Sequence, residues 1–383
     1  MKVSALCDFA FWEGRVGTAV RFSSLCHSLS KVCDLTVIST VTLANRYKSF
    51  AVGKPYEFLD RSVLQKVHEA LPPGIIPGVA NANQVSVRGI RELVISGGFD
   101  AVLTPYFNRR WMIEHLPADI VRIIDTHDCQ SQRTRSFARH GLIPTFRMTP
   151  EEEGAELDKY DIVLAMSDED FDEFSAISSS PVVTTPFRLP LHDLTGVRSF
   201  YAPGGENREL LFIAADSPVN QMTLAYLLRD VLPLVPGHVV LNVVGNVSMP
   251  KNFTENSNFT VVRHENIDDL VPIYARCALA VNPTFMGGGV KTKTLEALAF
   301  GVPSLNADEG ARGMRHLIPD ELIANDKETF AWRIGELLSD PEKRATLANE
   351  QTARVRTEDS ESWLTIFRDL LHAIRSHKLE AFA

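Results

Sequence analysis

Short apolar strands alternate with helical stretches along almost the whole chain, and the alternation breaks once, at 187–208. Residues 2–7 read as a buried strand, 18–29 as a helix by the spacing of Val20, Leu25 and Leu29, and 34–39 as a second strand, which makes one βαβ unit. Strands follow at 99–104, 120–125, 161–166 and 181–185. Beyond the break come strands at 209–214, 239–244, 259–262, 278–281 and 302–305, with helices after Ser217-Pro218 and over 267–276. Parallel strands are covered on both faces, so they read as continuous apolar runs, and each needs a crossover to reach its neighbour. The pattern predicts an α/β fold of two Rossmann-like, doubly wound parallel sheets. Pro190, Pro203, Gly204 and Gly205 among polar residues mark 187–208 as a linker. A chain of 383 residues has the length of two domains, expected at 1–188 and 206–358, followed by an amphipathic helix at 362–377.

Ligands of such sheets bind at the carboxyl ends of the strands. Gly14–Gly17, Thr126–Asp128, Ala215–Ser217 and Gly287–Lys291 all fall there, and two sheets with facing carboxyl ends would enclose a central cleft. The stretch Pro283 to Pro303 (PTFMGGGVKTKTLEALAFGVP) holds a strand end, a glycine turn, a helix start and a helix stop. Gly287, Gly288 and Gly289 admit positive φ and close approach of a ligand to bare amides. The helix that follows has unpaired N–H groups and a partial positive charge at its start, which together suit phosphate. Lys291 and Lys293 lie in that first turn, where the dipole disfavours cations; a bound anion would remove the conflict. The plainer reading is a simple turn with two solvated lysines. Glu296, on an otherwise apolar helix, is expected to pair either with Lys293 at i−3 or with a ligand hydroxyl. Gly301 and Pro303 end the helix.

Composition narrows the class. Hydrophobic residues make up 45% and charged residues 23%, as in soluble globular proteins. The net charge of −9 is uneven: residues 1–150 carry 18 Lys and Arg against 12 Asp and Glu, and residues 151–190 carry 2 against 11. Thr149-Pro150 followed by Glu151, Glu152 and Glu153 reads as a capped helix start with acids that compensate the dipole, rather than a metal site. Five scattered cysteines form no C-x-x-C pair and point to free thiols in a reducing compartment. The N-terminal apolar run is too short for a signal peptide, and no segment has the length of a membrane span, so a cytoplasmic protein is expected. No G-x-G-x-x-G follows a strand, which disfavours a nicotinamide-dependent dehydrogenase.

The pattern Pro283-x4-Gly-Gly-Gly-Val-Lys-x-Lys-x-Leu-Glu-Ala-Leu-Ala-x-Gly-Val-Pro303 resembles the signature of the retaining GT-B glycosyltransferases called glycosyl transferases group 1. Ser217-Pro-Val-Asn220, Val244-Gly245, Asp268-Asp-Leu-x-x-x-Tyr274 and Asp308-Glu-Gly310 fall in the family's order. So do Gly14–Gly17, Asp125-Thr-His-Asp128 and Glu152…Asp161-Ile-Val-Leu-Ala-x-Ser167. The resemblance implies two Rossmann-like domains with the donor in the cleft, and a final helix, 360–383 here, that packs back on the first domain. It also implies metal-independent transfer of a sugar from a UDP- or GDP-linked donor, with no cofactor, to a glycan or lipid-linked glycan, in polysaccharide biosynthesis. Amides of Gly287, Gly288 and Gly289 would meet the diphosphate, and Lys291 or Lys293 would neutralise it as charge builds on the leaving group. Glu296 would accept from ribose hydroxyls, and the backbone near Arg263–Glu265 would face the base. Gly14 and Gly17 would let the first-domain loop close on the donor. His127 matches the histidine that contacts the donor sugar near the reacting carbon, with Asp128 and Arg133 on the acceptor side.

Two departures stand out. The family often carries E-x7-E; here Glu296 is the second glutamate and Gly288 holds the first position, which leaves the sugar reader open. The Arg and Lys common after the first strand of the second domain are absent from Ala214–Asn220, as in a subgroup of polysaccharide-type transferases with Pro-Asn there. From the residues alone, His127 beside Asp125 and Asp128 reads first as a salt-bridged structural residue; a metal site there would want more ligands at helix or hairpin spacing, and none appear. Arg109-Arg-Trp111 with Arg133, Arg135, Arg139 and Arg147 reads either as a surface for a lipid diphosphate or the inner face of an anionic membrane, or as a solvated face. No nucleic acid is expected as a partner. The competing functional readings are a nucleotide-sugar-binding scaffold without transfer and an epimerase acting on the nucleotide sugar.

Overall fold

A computed structural model describes residues 1–14, 17–189, 191–192, 207–251, 257–267, 269–358 and 361–382. Most of the expected linker at 187–208 lies outside the described residues, as do Val16 and Asp268. The chain divides into two compact units. One comprises Met1–Thr134, Thr145–Phe187 and Asp359–Ala383; the other comprises Arg135–Pro144 and Arg188–Glu358.

The strands of the first unit are β1 (Lys2–Cys7), β2 (Asp34–Ser39), β3 (Glu57–Leu59), β4 (Ala101–Pro105), β5 (Val121–Asp125), β6 (Ile162–Ala165) and β7 (Val182–Thr184). Those of the second are β8 (Glu209–Ile213), β9 (Val239–Val244), β10 (Phe259–His264), β11 (Leu279–Asn282) and β12 (Ser304–Asn306). The helices, in chain order, are α1 (Gly17–Leu29), α2 (Arg61–Ala70), α3 (Gln84–Ser96), α4 (Gln130–Arg139), α5 (Pro150–Leu157), α6 (Asp168–Ile177) and α7 (Pro218–Tyr226). They continue with α8 (Val271–Arg276), α9 (Thr292–Ala299), α10 (Asp308–Ala311), α11 (Lys327–Ser339), α12 (Pro341–Thr357) and α13 (Trp363–Phe382).

The first sheet runs β3-β2-β1-β4-β5-β6-β7 and the second β10-β9-β8-β11-β12, parallel throughout. Each order reverses once, between β1 and β4 in the first sheet and between β8 and β11 in the second. At such a switch point neighbouring loops leave in opposite directions and open a crevice.

The continuous apolar strands divide their side chains between two cores. In the first unit Val3, Ala5, Leu103, Ile123 and Leu164 face Phe22 and Leu25 of α1 and Trp363, Phe367 and Leu371 of α13. Leu6, Val102, Ile124 and Val163 face Leu64 of α2, Ile90 and Val94 of α3 and Phe174 of α6. α13 is further tied down by Arg375 to Asp119 (3.1 Å) and Lys378 to Asp161 (3.0 Å). In the second unit Leu211 and Ala280 pack with Ile273 and Tyr274 of α8 and with Ala297 and Phe300 at the end of α9.

Helix starts follow local chemistry. Thr149 and Glu152 form a reciprocal capping box at α5, with Pro150 in its first turn. Ser167 and Ser217 cap α6 and α7 through the amides of Asp170 and Asn220. Glu153 departs from the expected role. It is buried and reaches to α4, accepting from the amides of Gln130 (2.7 Å) and Ser131 (2.8 Å). α8 starts at Val271 rather than 267, because Pro272 fits only a first turn.

Candidate functional site

The second unit gathers its polar groups at the carboxyl ends of β8 and β11. After β11 the chain turns through Gly287 (φ 139°) and Gly289 (φ 62°) into α9. A side chain at Gly287 would also meet Lys291 Cε and Nζ at 3.4 Å. The Gly287 amide is engaged, donating to Ser136 Oγ at 3.0 Å. Lys291 is the cap residue of α9, and a lysine cannot accept from the first-turn amides, so no side-chain cap covers them.

The two lysines differ sharply. Lys291 Nζ donates to Glu309 Oε1 (2.7 Å) and to the carbonyls of Gly288 (3.1 Å) and Gly289 (3.0 Å). An ammonium has three donors, and these contacts use all of them. Lys291 therefore braces the glycine loop. Lys293 Nζ donates to Asn220 Oδ1 (3.0 Å) and stands 4.8 Å from the centre of the Phe212 ring. Burial, and then the Lys291 charge, push its pKa down to about 7. Asn220 lies in the first turn of α7, so Lys293 joins the two loops of the switch point.

Glu296 is not paired with Lys293, whose ammonium turns to Asn220 instead. Its only described contact is the Tyr274 hydroxyl, at a long 3.5 Å. Burial raises its pKa to about 7, and the tyrosine offsets little of that. Tyr274 stacks on Phe300 (4.1 Å between ring centres), which stacks on His192 (3.9 Å). At the end of β10, Arg263 pairs with Glu265.

A buried amide and hydroxyl network holds these loops in place. Asn282 Nδ2 donates to Thr294 Oγ1 (2.8 Å), and Thr294 Oγ1 lies within reach of Asn306 Oδ1 (2.9 Å) and the Gly310 carbonyl (2.8 Å). β11, α9, β12 and α10 are pinned together through groups that no motif reading marked. The available signal was an asparagine closing each of two apolar strands, Asn282 and Asn306.

The first unit has its own cluster after β5. Asp125 is fully buried and receives the Arg21 guanidinium (Nη2–Oδ1 2.9 Å), while Arg21 also donates to the Thr185 carbonyl (2.8 Å). His127 Nε2 lies 3.1 Å from Asp125 Oδ2, outside hydrogen-bond alignment. Burial alone would raise the Asp125 pKa; Arg21 and His127 outweigh it and hold the carboxyl well below the usual range. His127 takes φ 62° and is 4% exposed, with the Tyr106 ring stacked on it at 4.2 Å. The Tyr106 hydroxyl meets Thr18 Oγ1 (2.8 Å), and Arg109 lies over the ring.

Tyr106, Thr18, Arg109, Asp128 and Arg133 line a cavity of about 320 Å³, in which Arg133 and Asp128 pair at 3.1 Å. Gly14 (φ 63°) closes the short helical turn after β1, and Gly17 opens α1; neither lines that cavity. Arg21, Tyr106 and Thr185 belong to this cluster and escaped sequence reading, since only the fold brings α1 and β7 to the end of β5. Among the described residues, no group of three or more His, Cys, Asp or Glu side chains could hold a metal ion, and no helix is long and apolar enough to cross a membrane.

Residues 207–340 match the family model for glycosyl transferases group 1. No curated protein matches the chain. Solved structures resemble it over nearly their full length. Sucrose-phosphate synthase from Thermosynechococcus elongatus is 14% identical, covering 97% of this chain and 100% of its own, with a TM-score of 0.68. Anabaena HepE, solved with UDP-glucose, is 13% identical over 100% and 99%, with a TM-score of 0.60. A mutant of S. aureus TarM, solved with fondaparinux, α-GlcNAc-glycerol and UDP, is 10% identical over 97% and 99%, with a TM-score of 0.69. At these identities the likeness is one of fold: two parallel-sheet α/β units of GT-B type.

Proposed function

We propose that this chain is a glycosyltransferase that moves a sugar from a nucleoside-diphosphate sugar to a hydroxyl acceptor, with retention and without a metal. The observation that carries the reading is the β11–α9 loop. Bare first-turn amides, the Gly288 and Gly289 backbone and a buried ammonium held by one neutral partner, Asn220, meet at a sheet switch point. The match of residues 207–340 to glycosyl transferases group 1 supports it. So do relatives in fold solved with UDP, UDP-glucose and glycans.

In this reading the donor's diphosphate lies against the α9 start and Lys293. As the bond from sugar to phosphate breaks, negative charge builds on the leaving diphosphate, and preoriented amides and the ammonium stabilise it. Glu296 accepts from the ribose hydroxyls, a contact that its single long bond to Tyr274 leaves room for. The acceptor hydroxyl attacks from the face the leaving group departs; its oxygen forms the new bond to the sugar as the sugar–phosphate bond breaks, and its proton passes to the departing diphosphate oxygen. Lys291, bonded to Glu309 and two carbonyls, keeps the loop in register for this chemistry. The reading includes a cytoplasmic reaction, supported by five scattered cysteines without a C-x-x-C pair, at the inner membrane face where the acceptor is lipid-linked.

The test is a screen of UDP- and GDP-sugars by thermal shift and by release of UDP or GDP. Stabilisation by one nucleotide together with turnover of its sugar is the expected result. Absence of both for UDP and GDP would overturn the proposal, and binding without transfer or hydrolysis would favour the scaffold reading.

A further inference from the structure

A second, larger cavity of about 690 Å³ lies in the first unit, between the 107–112 turn, the 146–148 segment and α5. It falls within the range of ligand clefts, roughly 300–1,000 Å³. It shares Phe107, Asn108 and Phe146 with the 320 Å³ cavity beside Asp128 and Arg133, so the two are compartments of one trough.

The lining is aromatic and polar at once. Phe107 and Phe146 meet edge to face at 6.1 Å, and Trp111 adds an indole. Arg110 is neutralised by Glu114 (2.8 Å) and Glu156 (3.6 Å), and Arg147 and Glu152 also line the wall. Two arginines against three glutamates leave the wall without the net positive charge that would draw a phosphate chain or an acidic lipid surface. Rings with an apolar face, bordered by groups that donate and accept, suit a ligand whose ring faces are apolar and whose rim is hydroxyl. That is the chemistry of a neutral sugar.

We infer that this trough is a binding site for a neutral oligosaccharide, whose terminal sugar enters the smaller cavity beside Asp128 and whose following units lie across Phe107, Phe146 and Trp111. The inference deepens the transferase reading and rests on it for the oligosaccharide's role as acceptor; binding itself does not. It favours a glycan over a lipid diphosphate.

The probes are maltohexaose, cellohexaose and chitohexaose, tested on the full chain by saturation-transfer NMR, with UDP binding measured in parallel. Binding of at least one, weakened about tenfold in Trp111→Ala and in Phe146→Ala as for a truncated aromatic anchor, is the expected result. Phe146 is exposed, so its variant tests the site even where Trp111→Ala unfolds. No binding of any of the three, or binding that survives both substitutions, overturns the inference. So does flotation with phosphatidylglycerol vesicles that Trp111→Ala abolishes, without glycan binding. Glycan binding with no UDP binding keeps the trough and removes the transferase; UDP binding and turnover without glycan binding does the reverse.

Discussion

Lys291 and Lys293 stand two residues apart at the start of α9, and their surroundings give them different work. Lys291 has a carboxylate and two carbonyls; Lys293 has one amide oxygen and a ring face. Lys293→Met is expected to weaken UDP binding by ~1.5–3 kcal/mol, the worth of a charge-assisted hydrogen bond. Lys291→Met is expected to lower the melting temperature more than the affinity, since Glu309 loses its partner. Calorimetric titration with thermal melts separates the two; equal loss of UDP affinity in both variants would refute the division. Proton linkage supplies a second test. Lys293 is held down at about 7 by burial and by Lys291, so its charged form costs stability below that pH, and the cost fades as pH rises towards the lysine's ordinary value. Glu296, raised to about 7 by burial, has the opposite sign: its contribution is full below the ordinary glutamate value and is lost as pH rises through 7. A bound diphosphate restores the Lys293 charge, so UDP binding takes up a proton above pH ~7 and its affinity falls as pH rises. Titrations in buffers of different ionisation enthalpy read the uptake directly, and a flat affinity from neutral to alkaline pH would refute it.

At the scale of elements, short-range signals and long-range partners separate cleanly. The capping box of α5, the serine caps of α6 and α7 and the glycine stop of α9 are written within four residues, and the sequence displays them. Gly301 takes φ 63° as a helix-ending glycine should. The β3 edge strand is three residues long, too short for a period to show. α11 and α12 are helices that the strand-led reading passed over, although Asp326 and Asp340 cap them in the ordinary way. Glu153 is the instructive case. Its neighbours Glu151 and Glu152 serve α5 by position, whereas Glu153 serves α4, a helix more than twenty residues earlier, because the fold seats α5 beside it. Glu153→Ala strands two buried amides and is expected to cost ~1–3 kcal/mol for each. Urea denaturation measures it, and a cost no larger than that of Glu151→Ala would show that Glu153 acts only as a dipole partner.

Across the molecule, acid stability rests on carboxyls whose arginine partners lie far away in sequence. Asp125 is held well below its ordinary range by Arg21 and His127 against the cost of burial. Glu358 is held at about 2 against burial by Arg188 and His316. Both contribute stability that is fully present above the ordinary carboxylate values and is lost as pH falls through the lowered ones. Asp125→Asn leaves Arg21 buried with its countercharge removed and is expected to cost ~3–5 kcal/mol. Urea midpoints at neutral and acid pH check this: wild type should lose stability on acidification and the variant should lose less. Equal acid losses would place the acid sensitivity elsewhere.

By itself the sequence determined the class of the chain: two parallel-sheet units, their strand ends, and the glycine loop with its helix start and stop. These are carried by continuous apolar runs, by the 3.6-residue helical period and by caps, which act over a few residues. Tertiary structure alone decided which lysine meets a carboxylate and which an amide, which carboxylate caps which helix, that Glu296 sits beside Tyr274, and that His127 lies under Tyr106 next to an Arg21–Asp125 pair. Those facts depend on desolvation and on partners from distant elements, and both exist only once the chain has packed.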